Sequence, residues 1–214
     1  SGPLPGGERT VTVVQPGLFT TVQDEGRWGF QSIGVSVCGA MDVHAHRLAN
    51  ACVGNNRSAA TLEVTIAGPH LRFDAPATVA ITGADLQPTL DGAACPMGTA
   101  IACAAGAVLQ FGQRRSGTRA YVAFDGGIAV PTVLGSSATH MMTRIGGVNG
   151  RQLRSRDVLT LHDPVSHTQS APEIANIPSR APGGARLRVI AGPQDVNFGP
   201  EAFDALQRSR FFIA

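Results

Sequence analysis

Two groups of residues in this 214-residue chain have the types and spacing to handle a charged or amide-bearing small molecule. The first is the run QDEGRWG. Here Gln23, Asp24, Glu25 and Arg27 stand beside Gly26 and Gly29, with the only tryptophan, Trp28, between them. Arginine presents a planar fork that grips a carboxylate or phosphate through two parallel hydrogen bonds. Carboxylates next to it orient the fork or move protons. Glycines at this density, continuing at Gly34 and Gly39, let a backbone take positive φ or approach a ligand closely. The second group is Arg119 and Tyr121, two residues apart and so on one face of any strand, with Ala120 and Val122 on the other, more apolar face. Asp42 and Glu63 are further carboxylates in reach of such a site. An uncompensated buried guanidinium costs several kcal/mol, so Arg119 needs a carboxylate partner. Asp24 on its glycine-rich loop is the expected one, with Glu63 the alternative. The expectation is one polar pocket lined by Asp24, Arg27, Arg119 and Tyr121, with one arginine fork left for an anion. The same residues also admit a structural reading, since arginine–carboxylate pairs brace loops and a strand tyrosine packs with a satisfied hydroxyl.

Composition removes other chemistries. All 17 residues counted as Lys+Arg are arginine. Without lysine there is no phosphate-loop lysine, no Schiff base and no lysine-attached cofactor on this chain. The four cysteines, Cys38, Cys52, Cys95 and Cys103, form no CxxC pair, so neither a zinc site nor a dithiol redox motif is expected. His44 and His46 are two apart on a predicted helix and point about 200° from each other, which argues against a metal site. The net charge of +2 is too small to indicate nucleic acid or acidic lipid as the main partner. No apolar run reaches the roughly 18 residues that span a bilayer. Residues 1–8 form a Gly/Pro tail with no apolar core behind it, so no signal peptide is expected. A cytoplasmic location with free thiols follows as an expectation.

The elements that must carry these residues are mostly strands. The site loop opens residues 20–54 and delivers the chain onto a helix predicted at 42–53. Asp42 sits at the N-cap, Ala45, Leu48, Ala49, Cys52 and Val53 form the apolar stripe, and Gly54 stands at C′. Residues 10–14 (TVTVV) read as a strand. Residues 61–66 (TLEVTI) alternate, placing Leu62, Val64 and Ile66 on one face and Glu63 on the other. Residues 71–73, 77–82 and 86–90 follow, and Asp91-Gly92 is a strong hairpin signal. Further strands are expected at 99–103, 107–111, 119–124 and 157–161. Turn residues recur about every ten positions, which indicates a sandwich or closed barrel rather than a βαβ fold. Residues 1–7 are expected as a disordered tail, 8–164 as the β lobe and 165–184 as a linker. Residues 185–214 are expected to begin a second, incomplete β lobe, with strands at 187–191 and 210–214 and two helical turns at 201–207.

The collinear segments TTVQDEGRWGFQSIGV, GAMD, HRLANACVGN, LEVTIAGPHLRF, AITGAD, SGTRAYVAFDGGI and VLGSSAT together resemble one family. It is the biotin-dependent carboxyltransferase-like family, whose members are also labelled allophanate hydrolase subunit 2 or as a 5-oxoprolinase component. The resemblance runs from about residue 11 to 161 and returns weakly at 187–192. It implies a mainly β fold with a cyclophilin-like barrel, and a partner subunit of related fold. It further implies ATP-dependent opening of 5-oxoproline, or carboxyl transfer to a small amide. The amidase-type chemistry behind the allophanate hydrolase label needs a Ser-Ser-Lys set, which a chain without lysine cannot supply. The motif positions are Gln23, Asp24, Gly26, Arg27, Gly29, Gly39, Ala40, Met41, Asp42, Arg119, Tyr121, Gly126 and Gly127. From residues and resemblance together, Asp24, Arg27, Arg119 and Tyr121 are the expected catalytic set. Gln23, Gly39, Asp42, Glu63, Gly126 and Gly127 are the expected substrate-binding set, and no metal is expected. Biotin would arrive on another chain's lysine, and ATP through the complex. Family members continue past the point where this sequence stops, so the expectation is an obligate subunit. The resemblance leaves two other readings open. One is a regulatory protein that binds the inhibitor of a histidine kinase, as the antagonist of the sporulation kinase inhibitor does; the other is a small-molecule binder without turnover.

Overall fold

The computed structural model describes residues 8–164 and 188–210. The chain divides into two units, Ser1–Ile174 and Ala175–Ala214. The expected tail at 1–7 and linker at 165–184 lie outside the described residues.

The first unit is mainly β. Its strands are β1 (Thr10–Gln15), β2 (Phe19–Gln23), β3 (Thr61–Thr65), β4 (His70–Phe73), β5 (Ala77–Asp85), β6 (Pro88–Leu90), β7 (Ala93–Ala94), β8 (Ala100–Cys103), β9 (Val108–Phe111), β10 (Ser116–Phe124) and β11 (Val158–Thr160). One helix, α1 (Val43–Cys52), lies between β2 and β3. The strands form two antiparallel sheets, one ordered β11-β1-β4-β9-β6-β7 and the other β2-β3-β10-β5-β8. Alternation explains how they pack. Leu62, Val64, Ala120, Val122, Phe124, Val79 and Ile81 from the second sheet share one core with Val11, Val13, Leu71, Phe73 and Leu109 from the first. Each fully buried side chain of this kind contributes about 1.5–3 kcal/mol. The other face of the second sheet is polar, and α1 covers part of it: Ala45 and Ala49 pack on Tyr121 and Ala123.

The helix ends follow the sequence. Asp42 Oδ1 accepts from the Ala45 amide at 3.0 Å, and Gly54 takes a φ of 72° just past the C-terminus. Its buried stripe differs from the expected one. Ala45, His46, Ala49, Asn50 and Cys52 are buried, while Leu48 is only half-buried. The sheet beneath is polar, so the helix turns His46 and Asn50 towards it, where Thr61 and the Ala59 carbonyl receive them. The Asp91-Gly92 hairpin forms with φ values of 50° and 84°, the type I′ signature.

Three further expectations change. Residues 20–23 continue a strand and not a loop, because β2 pairs residue for residue with β3 down to Gln23↔Thr61. Ile66 leaves the apolar face: β3 stops at Thr65, and Ile66 takes a φ of 62° as the chain turns away. In the second unit residues 188–191 carry no strand, and none pairs with them among the described residues. Residues 211–214, expected to extend a strand, lie outside the described set. The unit's helix, α2 (Pro200–Arg208), begins with proline at its first turn, where the missing N–H is not needed.

Asp42→Ala should lower stability by about 1 kcal/mol while Asp42→Asn stays within a few tenths. Urea unfolding of the 214-residue chain checks this; equal midpoints for alanine and wild type would remove the cap from the account.

Candidate functional site

The polar face of the second sheet is built from strand register. Phe19↔Thr65↔Arg119 forms one cross-strand row and Thr21↔Glu63↔Tyr121 the next. Thr82 stands opposite Tyr121 on β5. All of these side chains point away from the hydrophobic core, since their strand neighbours fill it. Glu63 is buried at the centre of the face. Its Oε2 accepts from the Tyr121 hydroxyl at 2.7 Å and from the Met41 amide at 2.8 Å. Tyr121 Oη in turn accepts from the Asp42 amide at 2.7 Å. Burial pushes the Tyr121 hydroxyl well above its ordinary range, and the Glu63 carboxylate adds to the effect. Tyr121 therefore stays protonated and donates to Glu63.

Arg119 stands beside this carboxylate. Its Nε lies 3.5 Å from Glu63 Oε1, an ion pair without hydrogen-bond alignment. The guanidinium makes no hydrogen bond to any described residue, and the side chain is 28% exposed. The strand is irregular beside it. The pairing of β10 with β5 slips between Ser116 and Ala120, a bulge of the kind that redirects side chains next to functional sites. Gly83, at φ 84°, makes the bulge possible: a Cβ there would lie 2.5 Å from the Arg119 carbonyl oxygen.

The glycine-rich loop forms a second cluster. Asp24 Oδ1 accepts from the Gly26 amide and the Ser136 hydroxyl, each at 2.7 Å, and Oδ2 accepts from the Ser137 amide. Arg27 is 1% exposed. Its Nη2 donates to the Ala138 carbonyl and its Nε to Val133 at 3.4 Å, while Nη1 has no partner. The loop closes through two glycines: a Cβ on Gly39 would meet Gly26 N at 2.8 Å, and one on Gly26 would meet the Val37 carbonyl at 2.7 Å. The Ala40 amide donates to the Asp24 carbonyl at 2.8 Å, linking this cluster to Met41 and Asp42.

The expected single pocket thus divides in two. Asp24 does not pair with Arg119; it is saturated by Gly26, Ser136 and Ser137, and the alternative, Glu63, takes the arginine. Arg27 presents no open fork: the side chain is buried, with Nε and Nη2 on backbone carbonyls and Nη1 closed off without a partner. Gln23 sits on β2, donating to Thr21 and the Thr139 carbonyl. Asp42 caps the helix with its side chain and meets Tyr121 through its backbone. Gly126 and Gly127 are not brought to either cluster: Gly126 packs on the His162 and Asp163 carbonyls and Gly127 near Ala59. Residue-level reasoning missed Ser136, Ser137 and Thr65. The first two lie in the VLGSSAT segment that carried the resemblance, and Thr65 follows Glu63 at strand spacing.

Burial pushes the Cys103 thiol up to about 12 and raises Cys52, so neither is a thiolate nucleophile near neutral pH. Among the described residues no group of three or more His, Cys, Asp or Glu stands close enough to hold a metal ion. An apolar groove in the second unit, lined by Val189, Ile190, Phe198, Phe203 and Leu206, contains none of the candidate site residues. No helix among the described residues is long and apolar enough to cross a membrane.

His46 gives this region a pH response. Its Nδ1 meets Thr61 Oγ1 at 2.9 Å and its edge meets the Tyr121 ring. Burial lowers its pKa below 6.5, against the opposing pull of Asp24 and Glu25. The unfolded chain takes up a proton near 6.5 and the folded chain only at lower pH, so acidification through that window destabilises, by at most about 1.4 kcal/mol per pH unit. Asp157, held low by the Arg151 hydrogen bond, has its own window below 3.8. Urea midpoints at descending pH should fall for the wild type from about 6.5, and His46→Gln should flatten that first step.

The family described as "Carboxyltransferase domain, subdomain A and B" matches residues 33–214. The chain is 36% identical over 197 residues to an Escherichia coli protein named as a subunit of 5-oxoprolinase, covering 92% of this chain and 62% of that protein. It is 41% identical over 152 residues to the Saccharomyces cerevisiae urea amidolyase, covering 71% of this chain and 8% of that protein. Among solved structures, TTHA0988 superposes with a TM-score of 0.80 at 34% identity, over 95% of this chain and 39% of that one. The K. lactis urea amidolyase gives 0.71 at 40% identity, over 74% of this chain and 10% of that one. This sequence therefore spans under two thirds of the curated relatives it matches first. The chain belongs to the carboxyltransferase-domain family of subdomains A and B.

Proposed function

We propose that this chain supplies the substrate-anchoring β lobe of a 5-oxoprolinase-type enzyme, working in the cytoplasm with a partner subunit of related fold. The observation that carries the reading is Arg119. Its guanidinium is braced by Glu63, turned to the polar face by strand alternation, and without a hydrogen bond to any described residue. Such a fork suits the carboxylate of a small lactam acid. Relatives are named for 5-oxoproline and for urea, and of these two only 5-oxoproline carries a carboxylate. Arg119 therefore favours the lactam acid. Tyr121 and Glu63 hold the arginine and the start of α1 in place; Asp24 and Arg27 hold the two loops together.

The resemblance also brings biotin and ATP into view. Biotin, carried on another chain's lysine, would need an acceptor beside the unpaired Arg119 Nε, but the unpaired acceptor on this face, Gln23 Oε1, lies four residues along the strands from the Arg119 row, roughly 13 Å at strand spacing, so these two groups do not fit one ureido ring. The fit to ATP is poor: no lysine and no phosphate-loop sequence is present, and we assign the nucleotide to another polypeptide of the assembly.

Calorimetric titration of the chain with 5-oxoproline and with urea tests the reading. Binding of 5-oxoproline and none of urea is expected. Arg119→Ala should weaken it about 10- to 100-fold, the loss of a charged hydrogen-bonded contact, and Arg119→Lys should restore little because the fork is lost. Equal binding of both compounds, or an unchanged Arg119→Ala, would overturn it.

A further inference from the structure

Among the described residues, four buried side-chain polar atoms have no hydrogen-bond partner: Gln23 Oε1, Arg27 Nη1, Thr65 Oγ1 and Arg119 Nε. Buried polar atoms are nearly always satisfied, and each exception calls for an occupant or carries a desolvation cost. Two of the four are direct cross-strand neighbours, Thr65 on β3 and Arg119 on β10. They share a face, and paired residues on one face carry side chains within contact distance. Thr65 is nine-tenths buried, so its hydroxyl cannot turn to solvent for a partner.

We propose that Thr65 Oγ1 and the Nε edge of Arg119 form one site for a carboxylate of a small organic acid, making Thr65 a ligand-binding residue. The proposal rests on the reading of Arg119 given above and specifies how the acid is held. A carboxylate lying side-on to the guanidinium takes one hydrogen bond from Nε and one from a terminal nitrogen. The oxygen at Nε then also accepts from the Thr65 hydroxyl. Nε–H is available because the 3.5 Å approach to Glu63 Oε1 lacks hydrogen-bond alignment. The nearby negative charge of Glu63 is spread over the Tyr121 hydroxyl and the Met41 amide, which eases the approach of a second carboxylate. Phe19, half-buried in the same row, offers an apolar wall to the body of the acid. Both atoms are closed to solvent in this structure, so the acid reaches them as the partly exposed end of the Arg119 side chain swings aside.

The test compares wild type, Thr65→Val, Thr65→Ser, Arg119→Ala and the Thr65→Val/Arg119→Ala double variant. Each is titrated with 5-oxoproline, acetate and the uncharged lactam 2-pyrrolidinone, with melting temperatures recorded in parallel. Thr65→Val keeps the side-chain shape and removes the hydroxyl. It should weaken carboxylate binding about 5- to 15-fold, the worth of one hydrogen bond, without lowering the melting temperature. Thr65→Ser should bind like wild type, and the double variant no worse than Arg119→Ala alone. If Thr65→Val binds like wild type while Arg119→Ala does not, the hydroxyl holds a bound water only; the proposal falls and the reading of Arg119 stands. If acetate binds with this dependence and 5-oxoproline does not bind, the lactam reading falls and the two-residue site stands. Binding of none of the carboxylates removes both.

Discussion

Glu63 is the group on which the arrangement depends. It stands mid-strand with Leu62 and Val64 in the core on either side, so its own direction is fixed by alternation: it must face outward, under the loop and helix. A carboxylate buried there needs partners, since an unpaired buried charge costs several kcal/mol. Three are at hand, two from β10 and one from the loop before α1. Tyr121 reaches it from β10, the Met41 amide from the end of the glycine-rich loop, and the Arg119 guanidinium from the bulged end of the same strand. One carboxylate thereby fixes the start of α1, the sheet face and the candidate anion site relative to each other.

The rest of the polar face follows from that anchor. Because α1 starts where Met41 and Asp42 are held, its inward side lies on threonines and Tyr121, and His46 and Asn50 face the sheet where a purely apolar stripe would leave hydroxyls unpaired. The loop before the helix is held separately, by Asp24 and Arg27 on residues 133–138. These contacts pin Gly26 against Gly39, so no side chain larger than hydrogen fits at either position. The scaffold is tied down at its two clusters and carries, beside Glu63, a guanidinium without a hydrogen bond to any described residue, the combination of held surroundings and free donor that a binding site needs.

Local features were readable in the sequence. The Asp42 cap, the Asp91-Gly92 hairpin and the alternation of Leu62, Glu63 and Val64 are each set by a few neighbouring residues. Carboxylate partners were not readable in this way. Asp24 finds Ser136 across 112 positions, and no periodicity records such a meeting; the choice between Asp24 and Glu63 for Arg119 is decided by strand register alone. Thr65 escaped notice for the same reason, since its meaning comes from the residue opposite it. The resemblance named the right segments, VLGSSAT among them, yet a motif does not say which of its members hold the fold and which face a ligand. Gly126 and Gly127 illustrate the point: they belong to a motif segment and serve a tight turn against residues 162–163.

The central claim is that Arg119 carries an unpaired guanidinium edge that receives a carboxylate. The most direct measurement is the 15N–1H resonance of Arg119 Nε, assigned by its absence in Arg119→Lys and followed while 5-oxoproline is added. The account predicts a saturable downfield shift of that resonance together with slowed exchange of its proton with water. A resonance that stays in place while 5-oxoproline binds elsewhere on the chain would contradict it.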